Sequence, residues 1–157
     1  MRLEYFEMID RIVDLDRANR TIRAEAQIPA ESPIFEGHFP GHPLMPGVLL
    51  CEAMAQTSGW LILGTQKFSH MPFLVTLREA KFRNFVKPSQ RLSLSAKMTH
   101  DGSGFAVTEA RGEVDGKGVC DASITFRLAP FPTKDFEDRM KAFSKKIGFP
   151  LETVLNG

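Results

Sequence analysis

Cysteine is scarce in this chain. Cys51 and Cys120 are the only two, and they stand in no CxxC arrangement. That excludes a disulfide framework and makes a reducing, cytoplasmic compartment the expectation. Neither sign of charge is in excess: 20 Lys and Arg against 19 Asp and Glu give a net charge of +1. Bulk electrostatics therefore do not point to nucleic acid. Polar aromatics are nearly missing, with one Tyr and one Trp beside 13 Phe. Phe brings apolar bulk without a polar handle, which suits a greasy core or an apolar pocket. The longest apolar stretch, Val48 to Leu63, is broken by Glu52, Gln56, Thr57 and Ser58. It is too short and too polar for a membrane span. The N-terminal Met1-Arg2-Leu3-Glu4-Tyr5 carries charge early and no apolar run, so no signal peptide is expected. Internal repeats, low-complexity segments, a P-loop, a Gly-x-Ser-x-Gly elbow and a Rossmann glycine pattern are all absent.

What is present suits one globular domain. The length is 157 residues, with 43% hydrophobic and 25% charged residues, enough to bury a core without staples. Residues 10–18 and 20–28 read as two strands about a turn at Arg17-Ala18-Asn19; in the second, Ile22, Ala24, Ala26 and Ile28 alternate with polar residues. Residues 31–47 hold Pro33, Pro40, Pro43 and Pro46 with Gly37, Gly41 and Gly47, and read as a long shaped loop of the kind that is often functional. From Gly47 to Gly64 the apolar residues lie on nearly every side, which predicts a buried helix, with Pro46 in its first turn and Gly64 as its terminator. Strands follow at about 72–86, 91–100, 104–114 and 118–128, with turn signals at Asp101-Gly102 and Asp115-Gly116. The expected class is α+β, one curved antiparallel sheet wrapped on one central helix. Residues 1–129 form that domain. Residues 130–157 form an extension whose Phe136, Met140, Phe143 and Ile147 recur at amphipathic helical spacing.

Several residues could carry chemistry. Glu52 is the only charged residue between His42 and Lys67, and it lies inside the helix expected to be buried. A lone buried carboxylate costs several kcal/mol unless it is paired or protonated, and a carboxyl kept protonated is a general acid. The competing reading, of equal weight on pattern alone, is a structural charge paired with Arg78 or Arg83. Gln56 lies one turn on, about 5–6 Å away on the same face; it reads as a supporting rather than a catalytic residue, either holding the Glu52 rotamer or simply a satisfied buried amide. His38 sits among Gly37, Phe39, Pro40 and Gly41. A backbone pinned this way suits a positioned base, and imidazole titrates near neutrality; a surface-loop histidine is the commoner fate of a lone His. His42 follows four residues later, but Pro40 and Gly41 prevent the helix that would make the two rings a metal pair. His70 and His100 read as surface residues. No Ser, Thr, Asp or Asn precedes Pro46 to cap the helix, so the N–H groups of Gly47 and Val48 are free to bind an anion or polarise a carbonyl; capping by water is the plain alternative. Cys51 reads as a small hydrophobe. Lys81, Arg83 and Lys87 would share one face of an unbroken strand, either a solvated face or a docking site for an acidic partner.

The run from Gly37 to Gln56 (Gly-His-Phe-Pro-Gly-His-Pro-Leu-Met-Pro-Gly-Val-Leu-Leu-Cys-Glu-Ala-Met-Ala-Gln) closely resembles the motif of the (3R)-hydroxyacyl-acyl-carrier-protein dehydratases of bacterial fatty acid synthesis. Phe73-Leu74-Val75, the stretch Ala80 to Pro88, Tyr5 and Met8 to Ile12 extend the likeness over about residues 5–128. The resemblance implies a hotdog fold and a homodimer, alone or as a trimer of dimers, with active sites shared between subunits. It implies His38 as the base that takes the C2 proton and Glu52 as the acid that helps the C3 hydroxyl leave. Gly47 and Val48 would polarise the thioester carbonyl, and Gln56 would orient Glu52. It implies an acyl carrier protein as partner, for which Lys81, Arg83 and Lys87 are the candidate docking residues read above, and no metal or organic cofactor. A Glu at position 52 resembles the dehydratase-only branch. Ser89-Gln90 departs from the family's usual Gly-Asp, and the chain runs on past Leu128 where the family usually ends. That tail is expected to cover the acyl tunnel or strengthen the oligomer, with very-long-chain or lipid A acyl synthesis one use of such a variant. A hotdog thioesterase, which would release free thiol, and a non-catalytic acyl-thioester binding protein are the competing functions.

Overall fold

The computed structural model describes residues 1–157. Strand β1 (Arg11–Asp16) and β2 (Thr21–Gln27) form the first hairpin; a short helix α1 (Pro33–Gly37) and the long helix α2 (Gly47–Thr65) follow. Then come β3 (Met71–Phe82), β4 (Arg91–Gly102), β5 (Phe105–Val114) and β6 (Lys117–Ala129), and the chain closes with α3 (Lys134–Lys146) and α4 (Leu151–Asn156). The six strands make one antiparallel sheet in the order β1-β2-β4-β5-β6-β3. The two edges are therefore β1 and β3.

The core lies between the sheet and α2, and strand alternation builds it. Ile22, Ala24 and Ala26 of β2, Leu92, Leu94, Ala96 and Met98 of β4, and Ala122, Ile124 and Phe126 of β6 are buried, while the residues between them are not. Small residues on the inner face let α2 approach closely, and Leu50, Met54, Leu61 and Ile62 of that helix are almost fully buried. Truncating one such side chain to Ala costs about 2–5 kcal/mol. The polar residues of α2 in this layer are satisfied: Thr57 Oγ1 donates to the Ala53 carbonyl at 2.9 Å and Thr108 Oγ1 donates to Ser58 Oγ at 2.7 Å.

The expected α+β class and the central helix stand, with several corrections. The loop at 31–47 contains α1, because Ser32 accepts a hydrogen bond from Ile34 N and Pro33 occupies the first turn. Pro46 is the N-cap of α2 and not a residue of its first turn. Gly64 does not end α2, which runs to Thr65; the chain leaves through Lys67 and Phe68, both with positive φ. Gly64 is small because Leu15 packs on it: a Cβ there would lie 2.7 Å from Leu15 Cδ2. The β4–β5 turn is Ser103-Gly104 and not Asp101-Gly102, since those two residues supply the pair of positive φ angles that a type I′ turn demands. Asp115-Gly116 is such a turn, as expected.

β3 stops at Phe82, four residues before its expected end. Its ladder with β6 is interrupted between Arg78 and Lys81, where Glu79 takes a positive φ. Lys81, Arg83 and Lys87 therefore do not share the face of one unbroken strand.

The tail is packed into the same core. Ile147, Phe149, Leu151 and Val154 are buried in it. Thr133 caps α3 by accepting from Phe136 N at 3.0 Å. The second tail helix, α4, has too short an amphipathic pattern to show in the sequence. Phe68, Phe131, Phe143 and Phe149 gather with Trp60 in an aromatic cluster between tail and α2, Phe149 lying 5.3 Å from the Trp60 ring centroid. No helix is long and apolar enough to cross a membrane.

Candidate active site

The rigid turn that follows α1 positions His38. Its N–H donates to the Ile34 carbonyl at 3.0 Å, and its carbonyl accepts from Leu44 N at 2.9 Å. Phe39 and His42 exchange two backbone hydrogen bonds, at 3.0 and 2.8 Å, which close a tight turn over Pro40-Gly41. The His38–Phe39 peptide is cis, and the two rings stack with centroids 4.0 Å apart. The imidazole is half-buried and forms no hydrogen bond within the chain. His42 is held in the turn, and His70 and His100 are exposed.

Met45 N donates to the Val86 carbonyl at 2.7 Å, which fixes the entry into α2. No side chain caps that helix. The Pro46 carbonyl takes the N–H groups of Leu49 at 3.0 Å and Leu50 at 3.2 Å. The N–H groups of Gly47 and Val48 come before those and have no intrahelical acceptor. They are the positive end of a 19-residue helix. The Phe82 ring lies against this end: a Cβ on Gly47 would sit 3.2 Å from Phe82 Cε1 and Cζ. Glycine at 47 thus leaves room for both the ring and an approaching acceptor. Sequence reasoning missed Phe82, because only the sheet register brings it there.

Glu52 is half-buried and makes no ion pair; Arg83, one partner considered for it, is bound instead to Asp121 at 2.8 Å. Its hydrogen-bond partner is Gln56, whose Nε2 donates to Glu52 Oε1 at 3.0 Å. The same Nε2 donates to the Phe6 carbonyl at 2.6 Å, and Gln56 Oε1 accepts from Met8 N at 3.1 Å. Gln56 therefore ties the N-terminal segment to the acid. Cys51 is half-buried, and burial pushes its thiol pKa up, which suits a small hydrophobe and not a nucleophile.

Glu52 and Gln56 stand at one end of an apolar groove of about 350 Å³. Its floor is one face of α2, continuing through Gly59, Trp60 and Leu63, and Met71 to Leu74 of β3 form a side wall. His38 does not line it. Within one chain the structure brings together Glu52 and Gln56 and leaves His38, Gly47 and Val48 outside the groove.

A curved antiparallel sheet around one long helix is the hotdog fold, and comparison with solved structures agrees. A hypothetical thioesterase of Streptococcus pneumoniae, determined with coenzyme A, superposes with a TM-score of 0.61 at 14% identity, over 78% of this chain and 88% of that one. A conserved protein of Pseudomonas aeruginosa gives 0.64 at 19% identity, over 79% and 92%. At such identities the likeness concerns the fold alone. The sequence goes further. Residues 2–123 match the FabA-like domain. The 3-hydroxyacyl-[acyl-carrier-protein] dehydratase FabZ of Fusobacterium nucleatum is 35% identical over 125 residues, 79% of this chain and 87% of that protein. The chain belongs to the FabA-like family and is a homologue of its FabZ dehydratases.

Proposed function

We propose that this protein dehydrates (3R)-3-hydroxyacyl-acyl-carrier-protein thioesters to trans-2-enoyl thioesters in fatty acid synthesis in the cytoplasm. The observation that carries the reading is a carboxyl group held by Gln56 at the head of an apolar groove, in a chain 35% identical to a FabZ dehydratase. The thioester carbonyl accepts from the free N–H groups of Gly47 and Val48, which acidifies C2. His38 takes the C2 proton, and the electron pair forms the C2–C3 double bond as the C3–O bond breaks. Glu52 delivers a proton to the departing hydroxyl, directly or through water, and water leaves. A proton then returns from His38 to Glu52 through solvent, and the cycle closes. Every step uses side chains and backbone of the protein itself and calls on no metal or organic cofactor.

The site is completed by a second copy. His38 lies outside the groove that holds Glu52, and β3 is a sheet edge with exposed Phe73, Leu74, Val75 and Leu77. An unpaired edge carrying exposed apolar side chains is a template for pairing. Edge-to-edge pairing of two β3 strands would set His38 of one subunit against Glu52 of the other, in a homodimer or a trimer of such dimers. The exposed Lys81, Arg83 and Lys87 are chain neighbours of Phe82 and Val86, which contact the entry to α2, and suit an acidic carrier protein, with Arg83 already bound to Asp121.

The test is enoyl formation from a (3R)-hydroxyacyl-carrier-protein thioester by wild type and His38→Ala. Loss of about 10²–10⁴ in kcat/KM fits a general base. Release of free thiol in place of enoyl product would make the protein a thioesterase, and tight binding without turnover would make it a binding protein.

A further inference from the structure

We propose that Met140 and Phe143 of α3 form a gauge for acyl chain length, so that the C-terminal helix selects which substrates the site accepts. The inference rests on the dehydratase reading for the identity of the ligand. Both side chains line the groove that Glu52 heads. They lie beyond residue 123, where the FabA-like match ends, so this wall is supplied by residues outside the matched segment.

Glu52, Gln56 and Glu7 are the polar side chains of a lining that is otherwise apolar. Glu52 and Gln56 mark the reacting end, and the α2 face then continues through Gly59, Trp60 and Leu63. Those positions recur at helical spacing on one stripe. Phe143 stacks on Trp60 with ring centroids 6.1 Å apart. Trp60 lies eight residues past Glu52, roughly 12 Å along the helix axis at about 1.5 Å per residue. A short acyl chain anchored at Glu52 ends before it reaches Phe143, and a long one must pass along it. Gly59 carries no side chain between the two, so the path is open; even a Cβ there would meet only Pro72 Cγ, at 3.7 Å.

The gauge is held in place on both sides. Ile147, directly after α3, is buried and gives its carbonyl to Ile12 N at 2.7 Å. Lys146, the last residue of α3, reaches Glu7 at 3.6 Å, and Glu7 also lines the groove. A wall anchored to β1 and to the N-terminal segment keeps its distance from α2, which a length gauge requires.

Two measurements on the full chain test this. The first compares kcat/KM for 3-hydroxybutyryl- and 3-hydroxyhexadecanoyl-pantetheine. Met140→Ala should raise the long-to-short ratio by roughly tenfold, and Met140→Trp should lower it by a similar factor, the scale of adding or removing bulk in an apolar site. The second needs no turnover. Trp60 is the sole tryptophan, so its emission reports hexadecanoyl-pantetheine binding in the wild type and in Met140→Ala, with butyryl-pantetheine as the short control. The substitution should change the affinity for the long ligand several-fold and leave the short one unchanged. Turnover with an unaltered ratio and unaltered binding would overturn the gauge. Length-dependent binding without turnover would keep the gauge and overturn the dehydratase reading. Thermal melts are the check that the Met140 variants are folded, and Phe143→Leu repeats the comparison at the second residue.

Discussion

Gln56 Nε2 donates to Glu52 Oε1 across one turn of α2, at 3.0 Å, while also donating to the Phe6 carbonyl at 2.6 Å. With Met8 N donating to Gln56 Oε1, the amide has a fixed orientation, because its oxygen must face a donor and its nitrogen two acceptors. The carboxylate is therefore aimed by a group that is itself locked by backbone.

Gln56→Ala should accordingly affect rate more than affinity. A misaimed acid loses transition-state stabilisation, and kcat should fall roughly tenfold or more with KM nearly unchanged. The melting temperature should fall as well, since removing the amide leaves the Met8 N–H without an acceptor, at a cost of about 1–3 kcal/mol. A purely structural role for Gln56 predicts something else: a lower melting temperature with wild-type kcat per folded molecule. Steady-state kinetics below the transition, with the active fraction titrated, separates the two.

The Glu52–Gln56 pair was legible because i and i+4 on a helix share a face, and the helix itself showed in the run from Val48 to Leu63. The strands showed through alternation, as in Ile22, Ala24 and Ala26. Three kinds of information were hidden. Gly64 looked like a helix terminator because its packing partner, Leu15, is distant in sequence and only the fold brings the two together. The end of β3 is not legible in the sequence because its irregularity near Glu79 is a property of the ladder with β6. Phe82 over Gly47, and Met140 and Phe143 in the groove, depend on how separate elements dock, which periodicity within any one element does not encode.

Cys120 makes a prediction about pH. It is fully buried on β6, and burial pushes its thiol from an ordinary value of 9.0 up to about 11. The folded chain therefore keeps this proton after the unfolded chain has lost it. Between those two values the unfolded state binds fewer protons, so stability falls as pH rises. The contribution is fully present below pH 9.0 and is gone by about 11, a loss of about 2–3 kcal/mol from this group. Cys120→Ala should be less stable at neutral pH, because it leaves a small cavity, and its stability should fall less steeply over the same alkaline range. Urea melts of both proteins at several pH values give the difference in slope; parallel slopes would mean that Cys120 is not the group titrating.

The separation of His38 from the Glu52 groove yields the sharpest test of the shared site. His38→Ala and Glu52→Ala should each be inactive alone. In a two-fold dimer whose sites take His38 from one subunit and Glu52 from the other, a mixed dimer of the two variants has one site lacking both groups and one site intact. Random assembly makes half the dimers mixed, and half the sites in those are intact, so co-expression should recover about a quarter of the wild-type activity. If both residues act within one chain, no mixed dimer contains an intact site and mixing recovers nothing. The readout is enoyl formation per total protein after co-expression, with the separately purified variants as the baseline. Recovery well above that baseline can come only from a site built across the interface, since neither variant chain carries both groups.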